Sequence, residues 1–418
     1  MKYSRIFART SKSVAGDLES INARLLTQAG YIHQEVAGVY TFLPLGLRVL
    51  NRIENIVREE MNKVGVEILM TTLSPTHTWE TTGRLETVDV LMKASGANES
   101  SKQKSTNEYV INSTHEETIT PIAKQYIQSY KELPTAIYQI QTKFRNEARA
   151  KSGLLRGREF RMKDLYSFHL SEEDLLNYYD EVIERYHAVF DRLGIGTDTY
   201  RTYADGGDFT DQYSHEFQTV LEAGEDIIYL DRENNIAYNK EVVTPEDAKK
   251  LGVDFDSLEQ VKASEVGNIF PLNTKFSDAF DYALQDADGK VQKIYMGCYG
   301  IGTSRLMGVI VEKFADENGL VWPEEVAPYK YHMITLGSGE SEEVSEKIYN
   351  ALGSEHCLWD DRENASTGAK FADADLLGCP VQVVVSPRNL KEGKLEIKDR
   401  VSGEKKFVSV EEFLESVK

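Results

Sequence analysis

The sequence predicts an α/β protein of two folded parts. An α+β core is built on an antiparallel sheet flanked by helices, and a C-terminal α/β domain follows with a mixed sheet. Two observations carry this. Segments 136–145 and 158–169 alternate side-chain character at period two on either side of a long loop, the pattern of an antiparallel hairpin. Beyond residue 329, strand-like and helix-like runs alternate to the end of the chain, which argues a separate sheet with helices packed on it. At 418 residues the chain exceeds one ordinary core, so two or three domains are expected.

The elements follow in order. GLRVLNRIENIVREEMNKV (46–64) repeats Leu47, Leu50, Ile53, Ile56, Val57, Met61 and Val64 at helical spacing, then runs into the β-rich GVEILMTTLSP and stops at Pro75. NEYVINSTHEETITP (107–121) reads as a strand and then a helix start, with Ser113 or Thr114 as cap and Glu116 and Glu117 in the first turn. AIYQIQTKFR (136–145) sets Tyr138, Ile140, Thr142 and Phe144 against Gln139, Gln141, Lys143 and Arg145. REFRMKDLYSFHL opens the same way, with Phe160 and Met162 opposite Arg161 and Lys163, and AKSGLLRG between the two strands reads as a long, flexible loop. Segment 172–193 is an amphipathic helix. The pattern weakens over 227–268, read as a small inserted module, before KIYMGCYGIGTS leads directly into the helix RLMGVIVEKF. The boundary of the C-terminal domain falls near 325–330.

Charge narrows the function. The chain holds 48 Lys and Arg against 68 Asp and Glu, a net charge of −20, which argues against general adhesion to nucleic acid or anionic membrane. Yet TKFRNEARAKSGLLRGREFRMKDLYSFH (142–169) carries eight Lys or Arg and three Asp or Glu. No apolar run has the length of a membrane span. Cys298, Cys357 and Cys379 lie far apart with no CxxC pair, which fits a reducing cytoplasm and neither a disulfide framework nor a thiolate zinc site. Residues 1–16 carry Lys2, Arg5, Arg9 and Lys12 without an acid, as an organelle transit segment would, though the amphipathic pattern is weak.

Two constellations carry chemistry. In FRNE, Arg145 and Glu147 stand two apart on a strand and point to one side, an anion clamp beside an acceptor. Arg156 and Phe160 lie where the loop returns, placed for a terminal phosphate and a stacked base. Together they describe a nucleotide site without a P-loop; by charge alone the stretch reads equally as a solvated basic hairpin. In GCYGIGTSR (297–305), Gly300 and Gly302 permit close backbone approach and Arg305 opens the next helix. Arg305 stands where a dinucleotide fingerprint needs its third glycine, so that motif fails. Alone, these glycines fit packing at a strand–helix turn just as well.

In their order, helix–strand–Pro75, FRNE with RGREF, and GIGTSR resemble the three motifs of class II aminoacyl-tRNA synthetases. AGYIHQEVAGVYTFLPLGLRVL, STHEETIT, REFRMKDLYSFH, YSHEF and KFADADLLG narrow the resemblance, over nearly the whole chain, to the bacterial-type prolyl-tRNA synthetases. The resemblance implies ATP and Mg²⁺ as cofactors, and L-proline, ATP and tRNA(Pro) as partners of a cytoplasmic homodimer with no membrane association. It implies that Arg145 holds the α-phosphate and the amino-acid carboxylate, Arg156 meets the γ-phosphate, Phe160 stacks on adenine, Glu147 reads the adenine amino group and Arg305 clamps the far phosphates, with Gly300 and Gly302 beside them. Arg145 and Arg305 are then the catalytic pair. Thr114 and Glu116 would bind the proline nitrogen; Phe168, His169 and His215 would line the ring pocket. Cys298 reads as small packing, and the metal ligands are left open. Lys143, Arg149, Lys151 and Arg158 are candidates for the tRNA acceptor end.

The implied layout is a class II catalytic domain over 1–226 and 269–325, a short insertion over 227–268, and an anticodon-binding domain over 329–418. In the last, Arg362, Lys370, Phe371 and Asp373 are the expected base-reading residues. Two departures stand out. Bacterial-type enzymes commonly carry a large editing insertion where only about 40 residues stand here, which predicts no editing in cis and leaves room for a separate editing protein. TYADGGDFTDQ before YSHEF is unusually acidic, which puts contacts around Thr210 to Tyr213 in question. The alternatives are a class II synthetase for another amino acid and a non-catalytic paralogue; the retained Arg145, Arg156 and Arg305 argue against the second.

Overall fold

The computed structural model describes all residues except 14–17, 19, 151, 208, 210–213 and 418, and the side chains of 250 and 251. The expected contacts of Thr210 to Tyr213 and of Lys151 lie outside the described residues. The chain divides into two compact units by its own contacts. One comprises Ala37–Val39 and Glu54–Val309, the other Met1–Val36, Tyr40–Ile53 and Ile310–Lys418. The pattern-based domain bounds of the sequence instead divide the chain near residue 325.

The larger unit is built on a nine-stranded sheet. Its strands are β1 (Val66–Glu67), β2 (Thr135–Phe144), β3 (Glu159–His169), β4 (Thr199–Ala204), β5 (Ser214–Val220), β6 (Asp226–Asp231), β7 (Ile236–Asn239), β8 (Glu259–Asn273) and β9 (Tyr295–Ile301). Their order is β5-β4-β7-β6-β8-β9-β3-β2-β1, and β5 also pairs with β8, which closes β4 to β8 into a ring. The central pairs β2–β3, β3–β9 and β9–β8 are antiparallel. Tyr200, Ile228, Leu230, Ala237 and Ala263 fill the ring. Segment 227–268 therefore contributes strands to the large sheet instead of standing apart as a module.

Register decides which side chains share a face, because directly paired residues point the same way. Gln139, Asp164, Gly300, Asn268 and Glu216 form one row across the sheet. Tyr138, Leu165, Tyr299, Ile269 and His215 form the next, on the opposite side. Helix α2 (Glu172–Arg192) covers that second side. It begins at Ser171, whose hydroxyl accepts from the Asp174 N–H, and buries Leu175, Tyr179, Val182, Tyr186 and Phe190. Helix α1 (Glu116–Tyr126) lies on the first side, where Ile119 packs with Met70, Tyr166, Phe168 and Met296. Helix α3 (Thr303–Phe314) starts directly after β9.

Three local expectations change. Of GVEILMTTLSP only Val66–Glu67 and Leu73–Pro75 are strands. The residue capping α1 is His115, with no side-chain cap, because the Thr114 hydroxyl turns instead to the Glu116 carboxylate at 2.6 Å. The hairpin loop contains a short 3-10 turn, Gly153–Leu155, whose Leu154 and Leu155 are buried.

In the other unit β10 (Tyr331–Thr335), β11 (Cys357–Asp360), β12 (Val381–Val385), β13 (Lys394–Asp399) and β14 (Lys405–Ser409) form a sheet in the order β11-β10-β12-β13-β14. The first three are parallel and the last two antiparallel, the mixed sheet the alternation predicts. Helices α4 (Glu340–Leu352) and α5 (Thr367–Leu377) belong to it. Its core holds Met333, Ile348, Trp359, Val383, Leu395 and Phe413. No helix among the described residues is long and apolar enough to cross a membrane.

Candidate active site

The even-numbered residues of β3 open onto the site face of the large sheet. A small cleft there is lined by Arg145, Phe160, Asn268, Gly300, Gly302 and Arg305, among others. Five of these six are residues the sequence nominates. The Arg145 guanidinium lies 5.2 Å from the centre of the Phe160 ring. Burial lowers its pKa from the ordinary arginine value, and the nearby charge of Arg305 lowers it further. Both effects are relieved when an anion enters. Arg305 is aimed by its neighbours: Nε donates to the Leu155 carbonyl at 2.8 Å and Nη1 to Glu265 Oε2 at 3.1 Å. A side chain at Gly300 would bring a Cβ within 2.7 Å of Asn268 Oδ1, so the Asn268 amide would have to shift to admit one.

Arg156 does not line this cleft. It is half-exposed, and its guanidinium bonds Glu147 Oε2 at 2.8 and 3.0 Å and Glu225 Oε2 at 3.3 Å. Glu147 is thus engaged by Arg156. Such a part-exposed pair is worth about 0–1 kcal/mol, little enough for a phosphate to displace.

Next to the cleft, a buried carboxylate organises the second half of the site. Glu116 is fully buried. Its Oε2 accepts from Thr114 Oγ1 at 2.6 Å and from Arg84 Nη1 at 3.3 Å, and its Oε1 from Cys298 Sγ at 3.2 Å. Burial and the Glu116 charge hold the Cys298 thiol far above its ordinary pKa, so it stays a donor. Beneath, Lys143 pairs with Asp164 at 2.7 Å and meets Nδ1 of His115. Burial, then the Lys143 charge, drops His115 to about 4, so the ring is neutral and its Nε2–H donates to the Thr71 carbonyl at 2.9 Å. The His115 backbone N–H donates to Tyr166 Oη at 3.0 Å. These bonds lock the turn that carries Thr114 and Glu116.

Phe168 belongs to the apolar cluster on this face, with Tyr166 and Cys298. His169 and His215 do not. His169 is the next residue on β3 and so points to the opposite side, where Nδ1 meets Asp174 at 2.8 Å. His215 shares its row with Ile269 and Tyr299, and its Nδ1 bonds the Tyr179 hydroxyl on α2 at 2.8 Å. Both expected pocket histidines are corrected by strand parity and the helix that covers that side. Lys143 is corrected too: fully buried against Asp164, it does not face a tRNA. Reasoning from sequence also misses Arg84, a single arginine in the polar TTGRLE with no pattern to mark it. Its partners lie about thirty residues away in the chain.

In the mixed-sheet unit, Arg362 pairs with Asp360 at 2.6 Å and Asp373 at 2.8 Å, and lies 4.2 Å over the Tyr3 ring. Lys370 is buried and donates to the Thr335 carbonyl at 2.7 Å. A cleft at the carboxyl end of β10 is lined by Arg362, Lys370, Thr335 and Thr367 among others, the position where open parallel sheets bind ligands. Phe371 turns instead to Ile334 and Val384 in the core.

The description "tRNA synthetase class II core domain (G, H, P, S and T)" matches residues 99–314, and "Anticodon binding domain" matches 330–418. The proline–tRNA ligase of Wolbachia pipientis wMel is 37% identical over 427 residues, covering 99% of this chain and 98% of the relative. The chain belongs to the proline–tRNA ligases. That of Nitrobacter winogradskyi is 38% identical over 442 residues, again covering 99% and 98%. In fold, the chain is similar to a Giardia lamblia prolyl-tRNA synthetase solved with prolyl-adenylate, with a TM-score of 0.75 at 21% identity over 93% of this chain and 73% of that one. A Cryptosporidium parvum prolyl-tRNA synthetase solved with L-proline and AMP gives 0.76 at 17% identity over 97% and 76%.

Proposed function

We propose that this chain activates L-proline with ATP to prolyl-adenylate at the site built on β2, β3 and β9, and transfers the prolyl group to the 3′ end of tRNA(Pro). The single observation that supports this most is the placing of an arginine-lined cleft and a buried, hydrogen-bonded carboxylate on one face of the sheet. Arg145 and Arg305 take the triphosphate, Phe160 stacks on the base, and Arg145 draws the proline carboxylate to the α-phosphorus. Glu116 and Thr114 accept from the ring ammonium, while Phe168 closes the apolar floor. No covalent enzyme intermediate is needed; positioning and charge neutralisation carry the step. Arg156 leaves Glu147 for the γ-phosphate, which frees Glu147 for the adenine amino group.

Among the described residues no group of three or more His, Cys, Asp or Glu is placed to hold a metal. The donor set therefore fits an ion carried mainly by the triphosphate, as Mg²⁺ is. Glu265, the one carboxylate among the cleft's described lining residues, would share it. Mg²⁺ would neutralise charge on the departing pyrophosphate.

The cleft with Arg362 and Lys370 would read anticodon bases, with Asp373 bracing Arg362. Val66, Leu69 and Leu73 stand exposed and apolar in the segment after the first-motif helix, which supports a homodimer. Three buried free cysteines suit a reducing cytoplasm. The missing insertion supports alanine misactivation without editing in cis, cleared by a separate protein. The test is ATP–pyrophosphate exchange with proline, alanine and cysteine in parallel. Proline should dominate, and Arg145→Ala should lower kcat/KM about 10²–10³-fold without loss of fold. Exchange driven equally by another amino acid overturns the reading.

A further inference from the structure

Arg84 is a charged side chain that the catalytic account above leaves without a task. It follows Gly83, whose φ of 72° makes the turn, and it is only 4% exposed. One of its terminal nitrogens, Nη1, serves two carboxylates: Glu117 Oε1 at 2.8 Å and Glu116 Oε2 at 3.3 Å. The guanidinium plane is boxed by rings, its carbon 4.6 Å from the centre of Phe209, 5.2 Å from Phe276 and 5.6 Å from Trp79. Arg84 Nε and Glu117 Oε2 are buried without hydrogen-bond partners among the described residues. The pair is therefore not a saturated structural fork. It is one cation divided between two acids.

The division matters because Glu116 has to accept from a secondary ammonium. A guanidinium that neutralised Glu116 alone would leave little attraction for the substrate cation. With none at all, two adjacent buried carboxylates would face each other, and one would take a proton. Thr114 and Cys298 hold the remaining sides of the same carboxylate, so its direction and its charge are both set before proline arrives.

We propose that Arg84 is a positioning residue for amino-acid selection, which from behind the pocket aims Glu116 and, by sharing its charge with Glu117, keeps Glu116 an acceptor for the imino-acid ammonium. This rests on the proline-activating reading. The lysine ammonium can reach both carboxylates with one nitrogen but has no planar face to be held against Phe209, so Arg84→Lys is only a partial substitute.

The test is ATP–pyrophosphate exchange by the full-length chain and by Arg84→Met and Arg84→Lys, with thermal melts of each. If the wild type shows no proline-dependent exchange, the functional reading itself has failed. Given an active wild type, Arg84→Met should raise the KM for proline at least tenfold and leave the KM for ATP within twofold, with Arg84→Lys between the two. An unchanged KM for proline, or equal rises in both constants as a general loosening would give, overturns the proposal. Should Arg84→Met fail to fold, Glu117→Gln decides, assayed at about pH 8.5, above the value of about 7 to which burial lifts Glu117. Giving Arg84 wholly to Glu116 should raise the KM for proline more than threefold at constant KM for ATP, and no change overturns the assignment.

Discussion

Single residues in this chain are governed by what they are buried with. Lys163 is the clearest case. It is fully buried on the α2 side of β3, and among the described residues its hydrogen-bond partners are the Tyr186 hydroxyl at 2.6 Å and the Tyr299 carbonyl at 2.8 Å. Burial lowers its pKa to about 7, whereas in the unfolded chain a lysine titrates near about 10.4. Between those values the unfolded state binds a proton that the folded state does not, so the group's contribution to stability rises with pH across that window and is flat below it. Lys163→Met removes the linkage. Its stability relative to wild type should fall as pH rises from about 7 to about 10, read as the difference in Tm; a pH-independent difference would show that the ammonium is not depressed. The neighbouring Lys143 has a carboxylate partner, Asp164. Period-two spacing puts the two lysines on separate strands but is silent on which is paired. That choice belongs to tertiary contact.

At the scale of elements, the site depends on how the hairpin is tied to its surroundings. Arg161 on β3 forks onto Glu54 at 2.8 and 3.0 Å; Thr303 Oγ1, at the start of α3, donates to the same carboxylate at 3.2 Å. Ser304 Oγ accepts from the Arg161 N–H at 3.0 Å. One carboxylate, 5% exposed, thus ties the strand bearing Phe160 to the helix turn bearing Arg305. Glu54→Ala should lower stability by about 2 kcal/mol, the worth of hydrogen bonds to a charged group, measured by urea denaturation. On the proposed function it should also raise the KM for ATP more than that for proline, because the tie holds the elements that bear Phe160 and Arg305. The hairpin and the α3 start are legible in sequence because strand alternation and the strand–helix junction are local patterns. The tie is not, since Glu54 lies over a hundred residues from Arg161 and reads as one more charge on an amphipathic helix. The same limit explains the cap at α1: STHEE has the composition of a capping box, but the threonine hydroxyl finds a better acceptor in the Glu116 carboxylate.

Over the whole molecule, the absent editing insertion sets the prediction. Segment 227–268 is used up in closing a ring of strands whose inside is filled with Tyr200, Ile228 and Leu230. A small apolar pocket rejects a smaller amino acid poorly, by roughly 1–3 kcal/mol per missing methylene. The chain should therefore activate alanine measurably and release none of it from alanyl-tRNA(Pro) above the uncatalysed rate; release of labelled alanine by this chain alone contradicts that. The order of the motifs and the two arginines that line the cleft, Arg145 and Arg305, are legible in the linear pattern because each sits in a short local motif, whereas Glu116 is reached only through the family resemblance. The histidines lie on the side that α2 covers, Lys143 turns inward to Asp164 and Arg84 meets acids about thirty residues away, because those outcomes depend on how the elements pack together. Burial and charge pairing are properties of the assembled fold, and no spacing along the chain encodes them.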